Sequence, residues 1–225
     1  MSSPNPVPSG GPVARRRSYT PFIVLAVIVA VALGVALLAS SDDDDADTTA
    51  ADAGGATASG ELLATAEVEV GGQTLPPLPD GGDDPALGMP APTLQGVDPS
   101  GDPAAVEYEQ PTLIAFLAHW CPHCQAELPE LVALAEEGTL DGIDAVVVLT
   151  GTDEARPNHP PGPWLDREGW TGRVVLDDEG GPAASAFGLT SYPYLVLVDA
   201  DGQVVDRNAG ELGLEGLGDF VGQVG

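Results

Sequence analysis

The chain has 225 residues, of which 35 are Asp or Glu and 7 are Arg; none is Lys, and the formal net charge is −28. Without clustered cations it has nothing to hold nucleic-acid phosphates, so a nucleic-acid partner is excluded. Two cysteines are too few for a disulfide-stapled scaffold, and 29 Gly with 22 Pro mark part of the chain as linker. Residues 1–21 are rich in Pro, Ser and Gly and carry Arg15, Arg16 and Arg17, which predicts a disordered tail.

Residues 22–39 (FIVLAVIVAVALGVALLA) carry no polar side chain. As a helix they reach roughly 27 Å, close to the hydrocarbon thickness of a bilayer. A cleaved signal peptide is the other reading, but its apolar region is usually shorter, about 7–15 residues. A lipoprotein route is excluded, since no Cys follows the run, and the residues after Arg15–Arg16 match twin-Arg export poorly. Arginines before the run and acids after it predict a single-pass anchor in the cell membrane, N-terminus cytoplasmic. The remainder then faces an oxidising, extracytoplasmic compartment. Residues 40–85 read as an acidic, Pro/Gly-rich linker. In SDDDDADTTAADAGGATASG like charges repel and keep the chain extended; a solvated spacer is preferred over a metal site. Residues 66–70 alternate like a short strand that Pro76, Pro77 and Pro79 terminate.

Residues 86–225 have globular texture and single-domain length. Residues 112–118 (TLIAFLA) and 143–149 (IDAVVVL) suit strands buried on both faces. Between them 122–137 read as a helix with Leu128, Leu131, Val132 and Ala135 on one face. Then follow a Pro-led helix at 164–170, whose tryptophans read as local packing, a strand at 173–176 and a short helix at 182–187. Strands at 194–198 and 203–207 flank the turn signal Asp201–Gly202, and a Gly-weakened helix covers 212–224. Strands alternating with helices, then a hairpin and a helix, predict an α/β, three-layer fold with a mixed β-sheet.

The chemistry sits in AHWCPHCQAELPEL. Cys121 falls where a buried strand meets a helix, and Pro122 fits that helix's first turn. Free N–H groups and the helix dipole there stabilise a thiolate. Cys124 lies nearly over Cys121, so one sulfur can attack and the other resolve the mixed disulfide. As a structural staple the pair is weak: so short a loop is worth roughly 2 kcal/mol. As a zinc site it lacks ligands, because only His119, His123 and His159 are present and no second Cys pair exists. His123, if charged, favours the Cys121 thiolate and makes the disulfide a stronger oxidant; the alternative is a solvent-exposed His without a tuning role. His119 is expected to face solvent or the sheet edge.

These segments resemble the thioredoxin superfamily, in particular membrane-anchored thiol–disulfide oxidoreductases of the TlpA/ResA type. GMPAPTLQGVDPSG looks like that group's lead-in segment, PTLIAFLAHWCPHCQAELPEL like its active-site strand and helix, and GLTSYPYLVLVDADGQVV like its later loop and hairpin. The resemblance implies a thioredoxin-like fold and dithiol–disulfide exchange with exported protein thiols or disulfides, without a cofactor or metal. Cys121 and Cys124 are the implied catalytic pair, with Trp120, Pro122, His123 and Glu127 around them. Pro193 is implied to be cis and, with Tyr192, to form the substrate loop. Three departures stand out. Pro-His separates the cysteines, as in DsbA-type oxidases; Tyr192 stands where a small or β-branched residue is usual; and Ala115 occupies the position of the buried acid in thioredoxins and DsbA-type proteins. The proton acceptor for Cys124 is therefore open, with Glu127 either that acceptor or a helix-surface residue. A TlpA/ResA-like reductase fed by a membrane donor is favoured over a DsbA-like oxidase with a membrane re-oxidant. A copper-binding chaperone using Cys121, Cys124 and a His is the rival from another class.

Overall fold

The computed structural model describes residues 62–224. The tail, the expected span 22–39 and residues 40–61 of the expected acidic linker lie outside them. Among the described residues no helix is long and apolar enough to cross a membrane.

A five-stranded mixed sheet forms the middle layer, in the order β6-β5-β4-β7-β8. Its strands are β4 (Thr112–Leu117), β5 (Asp144–Leu149), β6 (Arg173–Leu176), β7 (Tyr194–Val198) and β8 (Val204–Ala209). β4, β5 and β6 run parallel, while β7 is antiparallel to both β4 and β8. All six residues of β4 are buried, which is why its sequence is an unbroken apolar run. Alternation by two divides its side chains: Leu113, Ala115 and Leu117 join one core cluster, Ile114 and Phe116 the other.

The first cluster lies under three helices. These are α1 (Pro122–Glu136), contributing Cys124, Leu128, Leu131 and Leu134, α2 (Gly162–Glu168), contributing Trp164 and Leu165, and α4 (Gly213–Val221), contributing Leu217, Phe220 and Val221. Both Trp164 and Trp170 are core residues, in keeping with local packing. The second cluster lies under α3 (Pro182–Ala186) and a small antiparallel sheet of β1 (Glu69–Gly71), β2 (Thr93–Val97) and β3 (Pro103–Val106). A 3-10 turn, Gly222–Val224, ends the described chain.

Two expectations need correction. The globular unit does not begin at residue 86. Val68 and Leu75 are buried in the second cluster, and β1 pairs with β2 along Glu69–Gly71. Asp84 meets Arg207 of β8 in an ion pair whose arginine is fully buried, with Arg207 Nε donating to Asp84 Oδ2 at 2.8 Å. The same guanidinium donates to the carbonyls of Pro76 and Phe187. Residues 62–85 are thus part of the fold, despite their linker-like composition. The β2–β3 hairpin is also additional: Gly96 and Pro103 interrupt its pattern, yet Leu94 and Val106 are fully buried.

Candidate active site

β4 ends at Leu117, and after four residues the chain enters α1 at Pro122. Cys121 is the N-cap of that helix (φ −76°, ψ 122°), makes no side-chain cap bond, and is followed by Pro122 at the first helical position. β5 ends at the same edge of the sheet, leading into Gly151. β7 runs the other way, so it begins there, directly after Pro193. One edge of the sheet therefore gathers three loops that are far apart in sequence.

Cys121 is nearly buried and Cys124 fully so, and the two are not bonded to each other. Cys121 Sγ lies 3.9 Å from the Tyr192 carbonyl oxygen, and the Tyr192–Pro193 peptide is cis. Burial pushes the Cys124 thiol well above the usual range, and the neighbouring Cys121 and Glu127 charges add to the shift.

Trp120 stands edge-on to Tyr192, with ring centroids 6.1 Å apart, and donates its indole N–H to the Gly151 carbonyl at 2.8 Å. Gly151 takes a positive φ of 59°, and a Cβ there would collide with the Tyr192 hydroxyl, so only glycine leaves room for this aromatic pair. Arg156 covers the other part of the wall, its guanidinium 4.7 Å from a Trp120 ring centroid.

His123 is exposed, and its Nδ1 is 2.9 Å from Glu211 Oε2. Pro122 is exposed beside it. Glu127 is not on the helix surface: it is fully buried, and its carboxylate accepts the backbone N–H groups of Leu212 and Gly213 at 3.0–3.2 Å. It thereby caps the N-terminus of α4, which has no side-chain cap of its own. Burial raises the Glu127 carboxyl above its usual range, partly offset by these donors.

His119 also departs from expectation. It is buried, 1% exposed, not at the solvent or sheet edge. Both ring nitrogens bond to the loop at 151–161 that follows β5. Among the described residues no group of three His, Cys, Asp or Glu gathers as a metal site. Two recesses of about 510 Å³ flank residues 170–173, where β5 and β6 begin; they lie at the opposite edge of the sheet and contain no cysteine.

The Redoxin family matches residues 86–217, more than half of the chain. The chain belongs to the Redoxin family. This Redoxin is 30% identical over 141 residues to the thiol:disulfide interchange protein DsbE of Pasteurella multocida, covering 58% of this chain and 74% of the relative. It is 30% identical over 100 residues to a DsbE homolog of Paracoccus denitrificans, covering 44% of this chain and 51% of that relative. The match therefore spans about half the length of the Paracoccus protein. Among solved structures, the thioredoxin domain of a thiol-disulfide oxidoreductase from Bacteroides vulgatus superposes with a TM-score of 0.51 at 23% identity, over 62% of this chain and 99% of that one. A thioredoxin family protein from Chlorobium tepidum gives 0.52 at 21% identity, over 61% and 96%. The Redoxin thus has a thioredoxin-like α/β fold with a mixed sheet and belongs to the thioredoxin superfamily.

Proposed function

We propose that this Redoxin is a membrane-anchored, extracytoplasmic thiol–disulfide oxidoreductase that exchanges a Cys121–Cys124 dithiol for a disulfide in exported proteins, acting as a reductase. The observation that carries the proposal is the Cys121 sulfur at a helix N-terminus, 3.9 Å from the Tyr192 carbonyl, with Cys124 buried behind it. The Cys121 thiolate attacks one sulfur of a partner disulfide. A Cys121–partner bond forms, the partner's S–S bond breaks, and its second sulfur leaves as a thiolate that takes up a proton. Cys124 then loses its proton and attacks the Cys121 sulfur. The intramolecular disulfide forms and the partner departs as a dithiol, two electrons richer. A membrane electron donor must return those two electrons.

The direction is supported by Glu211. A carboxylate 2.9 Å from His123 offsets the field that a charged imidazole would otherwise exert on the Cys121 sulfur, which weakens the case for an oxidase. Equilibrating residues 61–225 with glutathione buffers tests the direction. A potential near about −270 mV, in the thioredoxin range, supports a reductase; one near about −120 mV, in the DsbA range, supports an oxidase. The reaction class is tested by Cys121→Ser, which is expected to abolish disulfide reduction in an insulin assay; undiminished turnover would overturn the assignment. Fractionation of cells expressing the full chain tests the anchor, with the protein expected in the membrane pellet.

A further inference from the structure

His119 makes three of the hydrogen bonds that fasten the loop at 151–161 to the strand-to-helix turn. His119 Nδ1 lies 2.6 Å from the Pro157 carbonyl oxygen, and its Nε2 lies 3.2 Å from the Asp153 backbone nitrogen. The partners settle the tautomer: a carbonyl only accepts, so Nδ1 carries the hydrogen, and a backbone N–H only donates, so Nε2 is bare. The His119 carbonyl adds a bond from Asn158 Nδ2 at 3.1 Å and one from Gln125 Nε2 at 2.9 Å. Asn158 is in turn held by Arg167 of α2 at 2.7 Å.

What this loop carries is the wall beside Cys121. Gly151 accepts the Trp120 indole N–H, and Arg156 lies over the Trp120 ring. His119 makes no hydrogen bond to either cysteine, but it fixes the segment against which Trp120 rests.

We propose that His119 is a positioning residue for Trp120: as a neutral, Nδ1-protonated imidazole it latches the 151–161 loop, and through that loop it sets how partners engage Cys121. A proton added at Nε2 faces the Asp153 N–H donor to donor, so that bond cannot survive charging. The titratable groups facing the ring both come from the loop: His159, with centroids 5.8 Å apart, opposes the charge and Asp153 favours it. The α1 neighbour, Gln125, is uncharged. Burial is the largest influence and holds the His119 pKa below its ordinary 6.5.

This inference rests on the oxidoreductase reading for its kinetic consequence but not for its structural one, and the experiment separates them. Side-chain 15N–1H correlation spectra of uniformly labelled protein, from pH 8 to pH 4.5, report each histidine's tautomer and charge. His119 is expected as the Nδ1–H tautomer at pH 7, and its charging at low pH is expected to shift the Asp153 and Gly151 amides together. An Nε2–H tautomer, or charging without movement of those amides, overturns the proposal. In the exchange assay His119→Ala is expected to lower kcat/KM toward a protein disulfide about three- to tenfold, as the loss of a hydrogen bond of roughly 1 kcal/mol implies. The loss is expected in KM more than in kcat. His119→Gln restores an acceptor toward Asp153 and is expected to recover most of the loss while removing the low-pH amide shift. Normal wild-type exchange with no effect of either variant overturns the latch alone; absent wild-type exchange overturns the oxidoreductase reading and leaves the spectroscopic test standing.

Discussion

At the scale of single residues, the two sulfurs of one motif differ because their surroundings differ. Cys121 sits at the helix N-terminus beside the Tyr192 carbonyl, while Cys124 is fully buried with its thiol pushed up by desolvation. Iodoacetamide at pH 7.5 is therefore expected to modify Cys121 first, with Cys124 remaining unmodified until the fold is opened. Peptide mass spectrometry reads the order directly, and equal labelling would contradict it. The same asymmetry predicts that Cys124→Ser accumulates a mixed disulfide through Cys121, visible as an adduct on non-reducing gels, since nothing remains to resolve it. The proposed cysteine roles are legible in the spacing of the pair together with its strand-to-helix context. The roles of His119 and Glu127 do not: their partners are 34 to 86 residues away, and no local pattern marks them.

At the scale of elements, α1 is the organiser. Its N-terminus presents Cys121, its inner face fills the core, and Glu127 in its second turn caps another helix. Glu127→Ala leaves the Leu212 and Gly213 N–H groups without their acceptor and is expected to cost about 0.5–2 kcal/mol, in line with other lost helix caps. Urea unfolding should show a lower midpoint with an unchanged slope; an unchanged midpoint would mean that water replaces the carboxylate. The helices and the five strands of the main sheet were legible in the sequence because the central strands are buried on both faces and read as continuous apolar runs. The three-stranded sheet was legible only in part. The alternation at 66–70 overlaps β1, but it shows neither the pairing with β2 nor the hairpin that follows, since only Leu94 of β2 is fully buried and little apolar periodicity announces that strand. Proline between 76 and 92 looks like linker to a composition reading, but the segment is tied to the fold by the Pro76 carbonyl, which accepts from the buried Arg207, and by the Asp84–Arg207 pair.

At the scale of the whole molecule, that pair staples the N-terminal segment to the far side of the sheet. Asp84→Asn leaves a fully buried guanidinium without its counter-charge, a change expected to cost about 3 kcal/mol or more. The Arg207 hydrogen bond holds the Asp84 carboxyl below its usual 3.8. Its contribution is therefore present in full above pH 3.8 and lost as pH falls through the lower folded value. Thermal melts at pH 7 and pH 2.5 should differ less for Asp84→Asn than for the parent chain. A fragment starting at residue 86 lacks β1, Leu75 and Asp84 altogether and is expected to melt well below one starting at residue 62; equal melting would return the boundary to 86.

The antiparallel pairing of β4 and β7 has a consequence beyond stability. Phe116 is paired with Tyr194, so the end of one strand and the start of the other are locked side by side by main-chain hydrogen bonds. The Cys121 sulfur and the carbonyl that flanks it are thereby brought to one edge of the sheet by the ladder. Aim and driving force are separate inheritances in this architecture. On the proposed reading, replacing Pro122 and His123 changes the potential of the pair, while the scaffold that places the Cys121 sulfur stays untouched.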